Sequence, residues 1–186
     1  MNETLNVIKS RRSTRQFVSE QLKDEELKEI IDAGIYAPSA TNKQPWHFTV
    51  IQNRDILNRL NDDFKELAKK SDNDYVKRVG ENERFHVFYN APTVVLVCGD
   101  KTNFSADVDC AVATENMLIA AESLGIGTCW IGFIAYLLNS EKGIEYLKEL
   151  GIPEGYRQIH AVAVGYKSTN RATAPARKEN TVNYIK

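Results

Sequence analysis

Cysteine is scarce in this chain of 186 residues: there are three, an odd number, and no CxxC pair. Cys98, Cys110 and Cys129 all sit in apolar stretches. That excludes a disulfide scaffold and predicts reduced core thiols in a cytoplasmic protein. Histidine is equally sparse. His47, His86 and His160 are scattered without ligand spacing, so no metal site is expected. Ten glycines and five prolines are too few for a collagen-like or low-complexity chain. Charge of one sign is missing as well. Lysine plus arginine is 24 and aspartate plus glutamate is 25, a net charge of −1. That balance argues against general nucleic-acid binding. Met1 to Lys9 lacks an apolar h-region, so no signal peptide is expected. One stretch, Ser123 to Ser140, carries no charge and approaches the length of a membrane span. Gly125, Gly127 and Gly132 interrupt it, which predicts two core elements joined by a glycine turn and no membrane association.

What remains is a globular composition, 42% hydrophobic and 26% charged. At roughly 100–200 residues per domain, residues 1–186 are expected to form one domain. Leu5 and Ile8 suggest a short first helix. Leu27, Ile30, Ile31 and Ile35 recur at helical spacing, with Asp24, Glu25 and Glu26 suited to the first turn. Trp46, Phe48 and Val50 alternate with polar neighbours, a strand pattern. Leu57, Leu60, Phe64 and Leu67 return to helical spacing. The run from Thr93 to Cys98 is apolar on both faces and predicts a central strand. Asp107 to Leu124 reads as a long, alanine-rich buried helix ended by Gly125 and Gly127. Thr128 to Ile131 and Ile159 to Val164 read as strands. Ser140 suits the cap of a helix carrying Ile144 and Leu147. Thr181 to Ile185 is strand-like and apolar, fit to join a partner's sheet. Irregular alternation of helix and strand places the chain in the α+β or mixed α/β class.

Three short segments carry chemistry-bearing residues. Ser10 to Arg15 holds three guanidiniums and three hydroxyls. Arginine presents a planar fork of donors that suits phosphate oxygens, yet the same run also fits a solvated charged face or a basic arm. Arg177-Lys178 is a second basic pair, far away in sequence. Ala37 to Trp46 is bounded by Pro38 and Pro45, with small and polar residues between them. It fits a proline-bounded turn, or the wall of a site for a flat heterocycle. Gly125 to Gly132 lacks the dinucleotide fingerprint, because it follows a helix and misses the third glycine. It fits a helix stop and strand entry, or amides near Ile131 and Gly132 facing a ligand.

Taken in order, these segments resemble the FMN-dependent nitroreductase family. The resemblance rests on Arg11-Arg12-Ser13-Thr14-Arg15-Gln16-Phe17, on Ala37 through Phe48, on Ala113 through Met117 leading to Trp130-Ile131-Gly132, and on Val164-Gly165-Tyr166 with Arg177-Lys178. It covers nearly the whole chain. It implies an α+β three-layer sandwich around a mostly antiparallel sheet, in an intertwined homodimer. It implies that Arg11, Arg12, Ser13 and Arg15, with Arg177 and Lys178, hold the FMN phosphate and ribityl chain. Pro38, Ser39, Ala40, Asn42 and Gln44 would reach the flavin from the other subunit. The backbone of Trp130, Ile131 and Gly132 would meet its N5 and O4. The core helix would pack across the dimer, and the tail from about 168 to 186 would wrap the partner.

The implied activity is NAD(P)H-dependent, ping-pong reduction of nitroaromatics, quinones or related small acceptors, with no catalytic side chain beyond the flavin. A flavin-holding or flavin-sensing protein with little turnover is the alternative. It is motivated by a departure: larger members carry covering helices between the central strand and the core helix, where this chain has only Gly99 to Ala106. Contacts to the flavin's pyrimidine edge are expected from Asn61 to Glu83, without a named residue.

Overall fold

The computed structural model describes residues 2–169 and 173–186. Residues 170–172 of the expected tail, and Met1, lie outside them. Seven helices and four strands follow one another as α1 (Glu3–Ser10), α2 (Asp24–Ile35), β1 (Trp46–Ile51), α3 (Arg54–Ala68), α4 (Asp74–Glu81), β2 (Thr93–Asp100), α5 (Ala106–Ser123), β3 (Gly127–Ile131), α6 (Ala135–Leu138), α7 (Glu141–Glu149) and β4 (Tyr156–Gly165). The class is α+β.

The strands form one sheet in the order β1-β2-β4-β3, and every pairing is antiparallel. β2 is central because both of its faces are apolar. Val94, Leu96 and Cys98 enter one core, with residues of α3, α4, α6 and α7. Val95 and Val97 enter the other, with residues of α2 and α5. This alternation follows from the period of two along a strand and creates helix, sheet and helix layers. α5 carries Cys110, Met117, Leu118 and Ala121 into the second core. Two of the expected helix starts are capped as their residues allow. The Glu26 carboxylate accepts from the Lys23 amide at 3.1 Å, and the Ser140 hydroxyl accepts from the Gly143 amide at 3.3 Å.

Three differences from the expected elements stand out. Asp74–Glu81 is helical, capped by the Asn73 side chain, although its pattern is too short to betray it. The uncharged stretch resolves into the end of α5, then β3, then α6. Among the described residues no helix is long and apolar enough to cross a membrane. Finally, Thr181 to Ile185 forms no strand. It carries no regular structure and pairs with no strand of the described residues, with Tyr184 84% and Ile185 100% exposed.

Candidate functional site

β3 is an edge strand, and the Arg11–Arg15 segment lies along its outer side. α1 ends with Arg11 N–H donating to the Val7 carbonyl at 2.9 Å. The chain then straightens. Ser13 bridges Thr128 in parallel, and the Thr14 amide donates to the Thr128 carbonyl at 2.7 Å. Further on, Phe17 bridges Lys167. Gly127 permits this close approach, since a Cβ there would sit 2.8 Å from the Thr14 side chain.

The guanidiniums of this segment are poorly matched by carboxylates. Arg11 has only Glu115, with Nε and Oε1 3.9 Å apart. Arg12 turns one amino group onto the Lys9 and Arg11 carbonyls at 2.8 and 2.6 Å, while its buried Nε has no partner. Arg15 is exposed and lies over the Tyr89 ring, 5.7 Å from its centroid. The Tyr89 side chain, as hydrogen-bond partner, raises the Arg15 pKa further. Beneath them, Cys129 is buried, and burial raises its thiol pKa even though Arg15, Ser13 and Arg11 pull the other way. Burial likewise pushes Cys98 and Cys110 up to about 12. All three thiols are free and buried.

Beside this segment opens a cleft of ≈ 300 Å³ lined by Val87, Tyr89, Trp130, Ile131, Gly132, Phe133 and Tyr136. In an antiparallel ladder, backbone polar groups alternate between the two sides of a strand. Thr128 turns its carbonyl outward to Thr14, so Trp130, two residues on, faces outward too and Ile131 faces β4. Gly132 lies past the strand, and its carbonyl accepts from the Ala135 amide at 3.2 Å. An added Cβ at Gly132 would meet nothing within 4 Å, so the space there is open. Phe133 closes one end against Phe64, Tyr75 and Phe85, with ring centroids 5.9, 5.9 and 6.3 Å away. Two residues of the Asn61 to Glu83 stretch support the cleft wall from behind. Tyr75 braces Phe133, and the buried Asn61 side chain accepts from the Val87 amide at 2.9 Å.

The Pro38–Gln44 connection lies elsewhere. It enters β1, the opposite edge of the sheet from β3. Three strand spacings, ~14 Å, separate those edges. Thr41, Asn42 and Gln44 have φ of 51°, 57° and 47°. Left-handed backbone at three non-glycine residues is strained and concentrates at functional sites. The strain is held by buried Asp109 of α5, which accepts from the Ala40 amide at 3.2 and 3.3 Å through its two oxygens. The Ser39 hydroxyl accepts from the Gln44 amide at 2.9 Å, and the Gln44 side chain donates to Asn42 at 2.9 Å. Arg177 and Lys178 are exposed on the tail. The structure thus brings Arg11–Arg15 and Trp130–Gly132 together, with Val164-Gly165-Tyr166 beside them, and keeps Pro38–Gln44 apart. Asp109 and Tyr89 were not foreseen. Each has an ordinary sequence context, and only folding brings it to its partner.

The profile of the Nitroreductase family matches residues 8–166. The chain belongs to the nitroreductase family. Its fold is shared with an FMN-bound nitroreductase of Bacteroides fragilis, at a TM-score of 0.94, 36% identity and full coverage of both chains. An FMN-bound nitroreductase of Desulfitobacterium hafniense superposes with a TM-score of 0.91 at 31% identity, again over both whole chains. An NADPH-flavin oxidoreductase of Vibrio harveyi is 29% identical over 180 residues, covering 94% of this nitroreductase-family chain and 70% of its own.

Proposed function

We propose that this protein is an FMN-dependent oxidoreductase that uses NAD(P)H to reduce flat acceptors such as nitroaromatics and quinones. The observation that carries this reading is the meeting, along one sheet edge, of under-paired guanidiniums and an open aromatic cleft. The residues present fit FMN. The buried Arg12 Nε lacks a partner, Arg15 forms no ion pair among the described residues, and Gly132 opens onto free space. A phosphate answers the first need and a planar ring the last. The named nitroreductase and flavin oxidoreductase relatives support the same assignment.

When bound, FMN would supply the two-electron redox centre that takes hydride from NAD(P)H and passes electrons to the acceptor in a ping-pong cycle. Arg11, Arg12 and Ser13, joined by Arg177 and Lys178, bind the phosphate and ribityl chain. The backbone of Trp130, Ile131 and Gly132 would orient the ring edge. Arg15 holds positive charge beside the cleft, where it stabilises negative charge on the ring's N1–O2 edge. The partner subunit's Pro38, Ser39, Ala40, Asn42 and Gln44 complete the site in a homodimer. The position of the two segments at opposite edges of one chain's sheet supports this. Buried free thiols support a reducing, cytoplasmic setting.

Purified protein is expected to be yellow, to bleach anaerobically with NAD(P)H, and to recolour with a quinone or nitroaromatic. Protein that cannot be loaded with FMN contradicts this function. Protein that binds FMN without sustained NAD(P)H oxidation is the flavin-holding alternative, which the short Lys101–Ser105 connection between β2 and α5 favours.

A further inference from the structure

Tyr89 stands where the basic segment meets the cleft. Its ring lines the cleft, and the Arg15 guanidinium lies 5.7 Å from the ring centroid. Its backbone is left-handed at φ 53°, and Asn90 follows at φ 56°. An aromatic residue rarely adopts this region, so the surroundings must hold it there. They do so from behind. The Tyr89 amide donates to the His86 carbonyl at 2.8 Å, and the Ala91 amide to the Phe88 carbonyl at 3.0 Å. Arg54, at the start of α3, reaches over with two donors. One meets the Asn90 carbonyl at 3.2 Å and the other its side-chain oxygen at 3.1 Å. Phe85 packs edge-on to the Tyr89 ring at 5.8 Å and 83°. A strained turn, clamped by a charged residue outside the cleft, thus presents one ring to one guanidinium.

We propose that Tyr89 is a positioning residue that holds Arg15 in place for the pyrimidine edge of the flavin ring. Arg15 is exposed and forms no ion pair among the described residues, so without Tyr89 it would sample many rotamers and lose that freedom on binding. The ring face of Tyr89 restricts it beforehand through a cation–π contact. Arg54 acts one step further back, by fixing Asn90 and with it the turn. The inference rests on the FMN reading above.

The test is a double-mutant cycle on FMN affinity, read by quenching of flavin fluorescence, with the midpoint potential of the bound flavin as a second readout. Arg15→Ala and Tyr89→Leu are each expected to weaken FMN about tenfold and to lower the potential, and the double variant should match Arg15→Ala alone. Arg54→Ala should show a smaller loss that vanishes in the Arg15→Ala background. It leaves the cleft residues intact and carries the test if Tyr89→Leu fails to fold. Multiplying effects, or a Tyr89→Leu protein with unchanged affinity and potential, would overturn the role of Tyr89 while leaving the FMN reading intact. Wild-type protein that binds no FMN overturns the FMN reading, and this inference with it.

Discussion

Arg12 has a buried Nε without a partner, and its neighbours Arg11 and Arg15 are scarcely better served. Leaving such donors unanswered is unfavourable, which supports the proposal that the cluster takes an anion. Replacing Arg11 by alanine should weaken FMN binding by roughly 1.5–3 kcal/mol, the worth of a charge-assisted contact. A fluorescence titration checks this, and an unchanged dissociation constant would place the phosphate elsewhere. His86 supports a second expectation. Burial lowers its pKa from 6.5 to about 4, and its Nε2 is buried without a partner. The unfolded chain therefore binds more protons than the folded one between those values, and stability falls as pH drops from about 6.5 towards 4. Denaturant midpoints across that range should fall more steeply for the native protein than for His86→Gln. Equal slopes would remove His86 from the acid response.

At the scale of elements, long periodic segments were legible in the sequence and short or strained ones were not. The stripe of Leu27, Ile30 and Ile31 and the two-faced run Thr93–Cys98 declare helix and central strand because burial dictates their spacing. Asp74–Glu81 buries only Val76 and Gly80, so its sequence carries no long apolar stripe. The Pro38–Gln44 connection was recognisable by composition. Its left-handed backbone was not, because nothing local requires it. The Asp109 carboxylate imposes it from α5, 69 positions along the chain. Asp109→Ala should relax this connection and weaken FMN binding about tenfold, with the helical circular dichroism unchanged. Retained affinity would show that the connection keeps its shape without Asp109.

Across the whole molecule, the sheet order decides what one chain can do. Residues of the candidate site were named from the sequence, but their grouping was not readable there. It depends on β1 and β3 lying at opposite edges. The apolar tail shows the same limit. Val182, Tyr184 and Ile185 are 62%, 84% and 100% exposed, which fits the proposed homodimer, in which a partner would cover them. Even the net charge of −1 conceals this organisation, since it averages over a basic segment at one sheet edge and a basic pair on the tail. The composite site can be tested directly by co-expressing two variants with different affinity tags. One is Arg11→Ala/Arg15→Ala and the other is Asn42→Ala/Gln44→Ala. The FMN content of the purified heterodimer is then measured. A site shared between subunits leaves one intact copy and predicts one FMN per heterodimer. Heterodimers without FMN would contradict it, because both segments would then serve the same chain.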